Sequence, residues 1–178
     1  MNYDKKDGRM KIIGIKIKKG RASNPEYVMK CLKPGWFPFG DYQEPVKKEN
    51  KWVLVNDHEC YRLYQINDNM PQIEVCGIVG MNGSGKSTII DYLLMIVNNM
   101  AYHLLPDNYA SDEAKPTYAS NIYAKLYFVT DECIYRIKCE NAYVFLSDGK
   151  HDIPLMGRHA NLNKSIIVGS SCRSYSIL

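Results

Sequence analysis

The chain has 178 residues, 46% hydrophobic and 24% charged, with a formal net charge of +4. That balance suits one domain with a packed core and excludes a disordered, low-complexity or collagen-like chain. No apolar run approaches the ~20 residues needed to span a bilayer, and MNYDKKDGRM at the N-terminus lacks the apolar stretch of a secretion signal, so a cytoplasmic protein is expected.

Met10–Lys18 alternates, with Ile13, Ile15 and Ile17 on one face and Gly14, Lys16 and Lys18 on the other, which predicts a half-buried strand. Residues 20–50 follow as a loop rich in Pro and Gly. Its aromatics Trp36, Phe37 and Phe39 suit either a base-stacking platform or, preferably, side chains that pin the loop to the core. Two short strands are expected at Lys51–Asp57 and Cys60–Ile66. Gln72–Gly80 is almost wholly apolar after Glu74, the pattern of a central strand covered on both faces. Ser84–Met100 reads as a helix whose buried stripe is Ile90, Leu93, Leu94, Val97 and Ala101. After a polar loop at 106–121, Ile122–Thr130, Cys133–Lys138 and Ala142–Leu146 form a β meander within 122–147. Lys164–Val168 resembles a further strand.

Between the predicted central strand and the helix stands Gly80-Met81-Asn82-Gly83-Ser84-Gly85-Lys86-Ser87-Thr88, which fits G-x-x-x-x-G-K-[ST], the phosphate-binding loop. Glycines let main-chain N–H groups approach a phosphate closely. The helix that follows directs its positive end at the same anion. Lys86 is assigned to the β- and γ-phosphates, the Ser87 hydroxyl to Mg²⁺, and Thr88 to an α-phosphate contact. The expected cofactors are therefore ATP and Mg²⁺.

Ile78–Thr88 resembles the Walker A motif of ABC-type ATPases, and the chain is similar to bacterial AAA-family ATP-binding proteins of chromosome maintenance, recombination repair and phage defence. The resemblance implies an α/β P-loop NTPase fold, ABC-ATPase-like, with an antiparallel β subdomain. It makes residues 1–178 a single ATP-binding domain, the N-terminal part of an incomplete head. It implies ATP hydrolysis in the complete protein, a homodimer formed through the heads, and DNA or an effector protein as partner.

Parts of that family's machinery are missing. No glutamine follows the helix. Leu146-Ser-Asp-Gly-Lys150 imitates a signature motif but ends a predicted strand. Leu126–Glu132 imitates a Walker B strand, yet Asp131 and Glu132 fit a hairpin turn better than a catalytic pair. Three alternatives follow: an ABC transporter subunit, a small-molecule or nucleotide kinase using Asp131 and Glu132, and a non-catalytic nucleotide sensor. Tyr61 and Tyr64 are candidate adenine contacts, more readily explained as strand aromatics. The basic clusters Lys5-Lys6, Lys16–Arg21 and Lys47-Lys48 read as solvated edges before they read as phosphate contacts. His58, His103, His151 and His159 have no partners at catalytic spacing. The six cysteines form no C-x-x-C pair and are expected as free thiols.

Overall fold

Alternating apolar and polar residues build six of the described strands into one antiparallel sheet. The computed structural model describes residues 10–20, 32–55, 75–104, 117–130, 133–141 and 143–155. Its elements are β1 (Met10–Ile17), β2 (Gly35–Pro38), β3 (Val46–Lys48), β4 (Lys51–Val53), α1 (Lys86–Leu104), β5 (Ile122–Thr130), β6 (Cys133–Asn141), β7 (Tyr143–Ser147) and β8 (Asp152–Leu155). Six strands pair in the order β2-β1-β5-β6-β7-β8, and β3 with β4 forms a separate hairpin. Every pair among the described strands is antiparallel. The expected meander is present, lengthened by β8 and joined to β1 through β5.

One face of the sheet carries the main core. Ile15 and Ile17, Ile122, Ala124 and Leu126, Ile137 and Cys139, Val144 and Leu155 pack against Ile89, Tyr92 and Ile96 of α1. Burial pushes the Cys139 thiol up to about 12, so it stays protonated and inert. The opposite face holds a smaller cluster of Ile13, Tyr42 and Tyr127, with Trp36, Trp52, Leu54, Val129 and Ile134 around it. The rings of Trp36 and Trp52 stand edge-on to Tyr127 at 5.9 and 5.5 Å.

Four expectations require correction. Ile13 does not share a face with Ile15 and Ile17: a bulge between Ile12 and Gly14 breaks the alternation and sends Ile13 into the smaller cluster. The predicted loop at 20–50 contains β2 and β3. The buried side of α1 is Thr88, Ile89, Tyr92, Ile96 and Asn99, whereas Ile90, Leu94 and Val97 of the predicted stripe face outward. Finally, residues 75–80 form no strand, and Val75 and Val79 are 74% and 92% exposed, with Ile78 alone of the run packed on the core. An apolar run becomes a central strand only where neighbouring strands take its N–H and C=O groups on both sides, and none of the described strands does so here.

Other readings are met. Phe37 and Phe39 pack against the main core and Trp36 against Tyr127, with the Trp36 indole N–H donating to the Tyr42 carbonyl at 2.8 Å. Leu146–Lys150 is the end of β7 and the turn into β8, not a helix start. Cys76 and Cys139 are free thiols. Lys164–Val168, Tyr61, Tyr64, His58, His159 and the strand expected at Cys60–Ile66 lie outside the described residues.

The β7–β8 turn is held by carboxylates. Asp148 Oδ1 accepts the N–H groups of Lys150 and His151 at 2.8 and 2.7 Å, and Asp152 accepts from Arg136 at 2.8 Å. Burial opposes ionisation at both, but backbone donors at Asp148, and the Ser147 hydroxyl with the Arg136 charge at Asp152, hold each carboxyl below its usual value. Their contribution is therefore present above the unfolded carboxyl range and lost as pH falls through the folded values. The urea midpoint is expected to stay level from about pH 7 to about pH 5 and to decline below about pH 4. An Asp148→Asn, Asp152→Asn double variant should decline less steeply. A parallel decline in both proteins would remove these carboxyls as the cause.

Candidate phosphate-binding site

Residues 80–88 run from an exposed approach into the first turn of α1. Gly83 and Gly85 have φ of +79° and +92°, the left-handed region that side chains rarely enter, so the loop conformation depends on glycine at both positions. Ser84 N–H donates to the Met81 carbonyl at 3.2 Å, and the first helical bond runs from Ile89 N–H to the Gly85 carbonyl at 3.1 Å. The N–H groups of Lys86, Ser87 and Thr88 precede that bond and have no partner within the helix.

Lys86 closes the loop on itself. Its ammonium donates to the Gly80 carbonyl at 2.8 Å and to the Met81 carbonyl at 2.9 Å. The first turn of α1 holds no acidic residue, so the positive helix end and the ammonium stand together without a carboxylate from that turn. For a helix serving only as scaffold this is the unfavourable choice, since a cation there opposes the dipole. It becomes favourable with an anion at the loop.

The loop is also anchored. A Cβ on Gly85 would lie 2.8 Å from Leu32 Cδ1, so Leu32 packs directly over this glycine. Thr88 and Ile89 are buried in the face that meets the sheet, while Ser87 is exposed. Gly80, Met81, Asn82, Gly83 and Ser84 are all exposed. Leu32 is the contributor that sequence reasoning missed. It lies far upstream within the Pro-rich loop, and no local pattern ties it to the motif.

At its other end α1 is held by Asn99. Its amide donates to the Ala119 carbonyl and accepts the Ala119 N–H, both at 2.8 Å, just before β5 begins. His103 stacks edge-on against Tyr102 and Tyr118, and burial pushes its pKa down. His151 lies in the β7–β8 turn beside Asp148.

Asp131 and Glu132 lie outside the described residues. The flanking strands pair to Thr130↔Cys133, which leaves two residues to connect them. Among the described residues no group of three or more His, Cys, Asp or Glu is placed to hold a metal. Among them, too, no helix is long and apolar enough to cross a membrane. In comparisons with family models, with curated proteins and with solved structures, nothing matches this chain.

Proposed function

We propose that residues 80–88 bind the phosphates of ATP with Mg²⁺. The observation that carries this reading is the Lys86 ammonium drawn back over a glycine loop onto the Gly80 and Met81 carbonyls, at the mouth of a helix whose first turn has no acid. An anion entering the loop would gain the ammonium, the N–H groups of the first helical turn and the helix end at once. Ser87, exposed at the second helical position, offers a hard oxygen suited to Mg²⁺; phosphate oxygens and water would supply the remaining ligands. Bound Mg²⁺ would neutralise charge on the β- and γ-phosphates.

By its resemblance to ABC-type heads, the chain belongs in our reading to a cytoplasmic switch ATPase of DNA maintenance or defence. Turnover and head-to-head dimerisation would require groups that the motif itself does not include. The described sheet would be the antiparallel subdomain of such a head.

Calorimetric titration with adenosine, AMP, ADP and ATP in Mg²⁺ tests the phosphate reading. Affinity should rise along the series, with the largest gain on adding the β-phosphate, where Lys86 would reach. Adenosine binding as tightly as ATP would show that the loop contributes nothing.

A further inference from the structure

The face of the sheet turned away from α1 has a second charged site, made by strand register. Lys16 on β1 stands opposite Lys125 on β5, and Lys125 opposite Lys138 on β6. The same rung continues to Phe145 on β7 and Pro154 on β8. The next rung carries Tyr123, Glu140 and Tyr143, with Lys18 beside Tyr123 through its N–H to the Tyr123 carbonyl at 2.9 Å. Three lysines abreast are a destabilising choice in a sheet, where like charges directly opposite repel.

The repulsion is only partly relieved. Glu44 bridges Lys16 at 3.0 Å and Lys125 at 3.8 Å, and Glu140 bridges Lys138 at 3.2 Å and Lys18 at 3.7 Å. Among the described residues, four ammoniums thus share two carboxylates. Burial first, and then the neighbouring cations, push the Lys125 pKa down, with Glu44 opposing them. Lys138 lies 4.4 Å over the Phe145 ring, which sets a cation and an aromatic surface side by side. Tyr143 is 54% exposed at the end of this surface. The β3–β4 hairpin reaches the Tyr127–Arg136 end of the face through Trp52, and Glu44 lies against Lys16 and Lys125.

We propose that this face binds single-stranded nucleic acid, with backbone phosphates on Lys16, Lys18, Lys125 and Lys138 and bases stacked on Tyr143 and the accessible edge of Phe145. Surplus positive charge beside the exposed Tyr143 ring and the half-buried Phe145 ring is what a strand of phosphates and unpaired bases requires. A purely anionic small ligand would not use the aromatics. A duplex keeps its bases stacked inside and would not use them either. The site is independent of the phosphate loop and does not rest on the ATP reading.

The test is fluorescence anisotropy of the full chain with labelled single-stranded DNA and RNA 15-mers of one sequence, and with the matching duplex, across a salt series. Single strands should bind more tightly than duplex, and the better of the two single strands identifies the natural chemistry. Tyr143→Ala should weaken binding roughly 5- to 100-fold, the effect of one lost stacking contact. Lys125→Met with Lys138→Met should weaken it further and lower the salt slope by roughly 1.4, as expected for two lost phosphate contacts on a single strand. Lys47→Gln with Lys48→Gln, on the separate hairpin, should leave it unchanged.

Stability separates binding from scaffolding. Lys125→Met removes a repelled charge and keeps the aliphatic stem, so its urea midpoint should equal or exceed that of the parent chain. No binding at low salt, duplex bound as tightly as single strands, or affinity untouched by Tyr143→Ala and by the double lysine variant would each overturn the proposal. So would a fall in stability for Lys125→Met that matches its fall in binding.

Discussion

Replacing Lys86 by Ala is expected to weaken Mg·ATP binding roughly 10- to 100-fold while barely moving the urea midpoint. A hydrogen bond to a charged group contributes about 1.5–3 kcal/mol, and each 1.4 kcal/mol is tenfold in affinity. The stability effect is small because Lys86 is half-exposed and its carbonyl partners, in the exposed stretch at Gly80 and Met81, can turn to water. Lys86→Arg should also lose affinity. A broad planar fork cannot replace one ammonium on two successive carbonyls. Calorimetry gives the affinity and a urea titration followed by fluorescence gives the midpoint. Parent-like affinity in Lys86→Ala would remove the ammonium from the site and with it the main support for the ATP reading.

The second large effect is expected far from the loop. Gly149 has φ +95°, and a Cβ there would lie 2.7 Å from Trp52 N and 2.8 Å from Lys51 Cα and C. These are backbone atoms of the β3–β4 hairpin, so no side chain can swing aside. The Gly149 N–H donates to Ser147 Oγ at 3.2 Å, and the same oxygen accepts the Trp52 indole N–H at 3.4 Å. Gly149→Ala should therefore cost about 3 kcal/mol or more, combining left-handed strain with overpacking. That is a large share of the 5–15 kcal/mol typical of a domain. Trp52 should lose its packing against Tyr127 and Arg136, and tryptophan emission should shift to the red. Gly83→Ala is the control, since its φ is +79° with nothing within 4 Å of the added carbon. Its loss should be about 1 kcal/mol, from strain alone. Equal losses at both positions would mean that the hairpin does not press on Gly149.

Strands facing one core were legible because alternation reports which side is wet. The meander could therefore be placed from residues 122–147 without any tertiary knowledge. The glycine–lysine loop proposed to bind phosphate was recognisable because its glycines and lysine are confined to nine consecutive positions. The helix face was not. Both sides of α1 carry apolar residues, and the side that packs against the sheet includes Asn99, a polar residue that argues against burial. Asn99 is inside because its amide donates and accepts like a peptide group, matching Ala119 in both directions, and no periodicity announces such a partner. The bulge in β1 was hidden for a related reason. Ile13, Ile15 and Ile17 read as one unbroken alternation, and only pairing with β5 shows where the extra residue goes. The lysine rung lay in plain view as single lysines at 16, 125 and 138, and only register brings them abreast.

The outward flank of α1 has a thermodynamic consequence. Ile90, Leu94 and Val97 keep 41%, 61% and 40% of their surface in water. Covering each would be worth about 1 kcal/mol at the usual apolar transfer value. The helix that follows the glycine loop thus holds a reserve of about 3 kcal/mol that the described sheet leaves unspent. Any layer laid along that flank would stiffen the first turn of the helix. The geometry at Lys86 and Ser87 would then respond to a surface that touches neither residue.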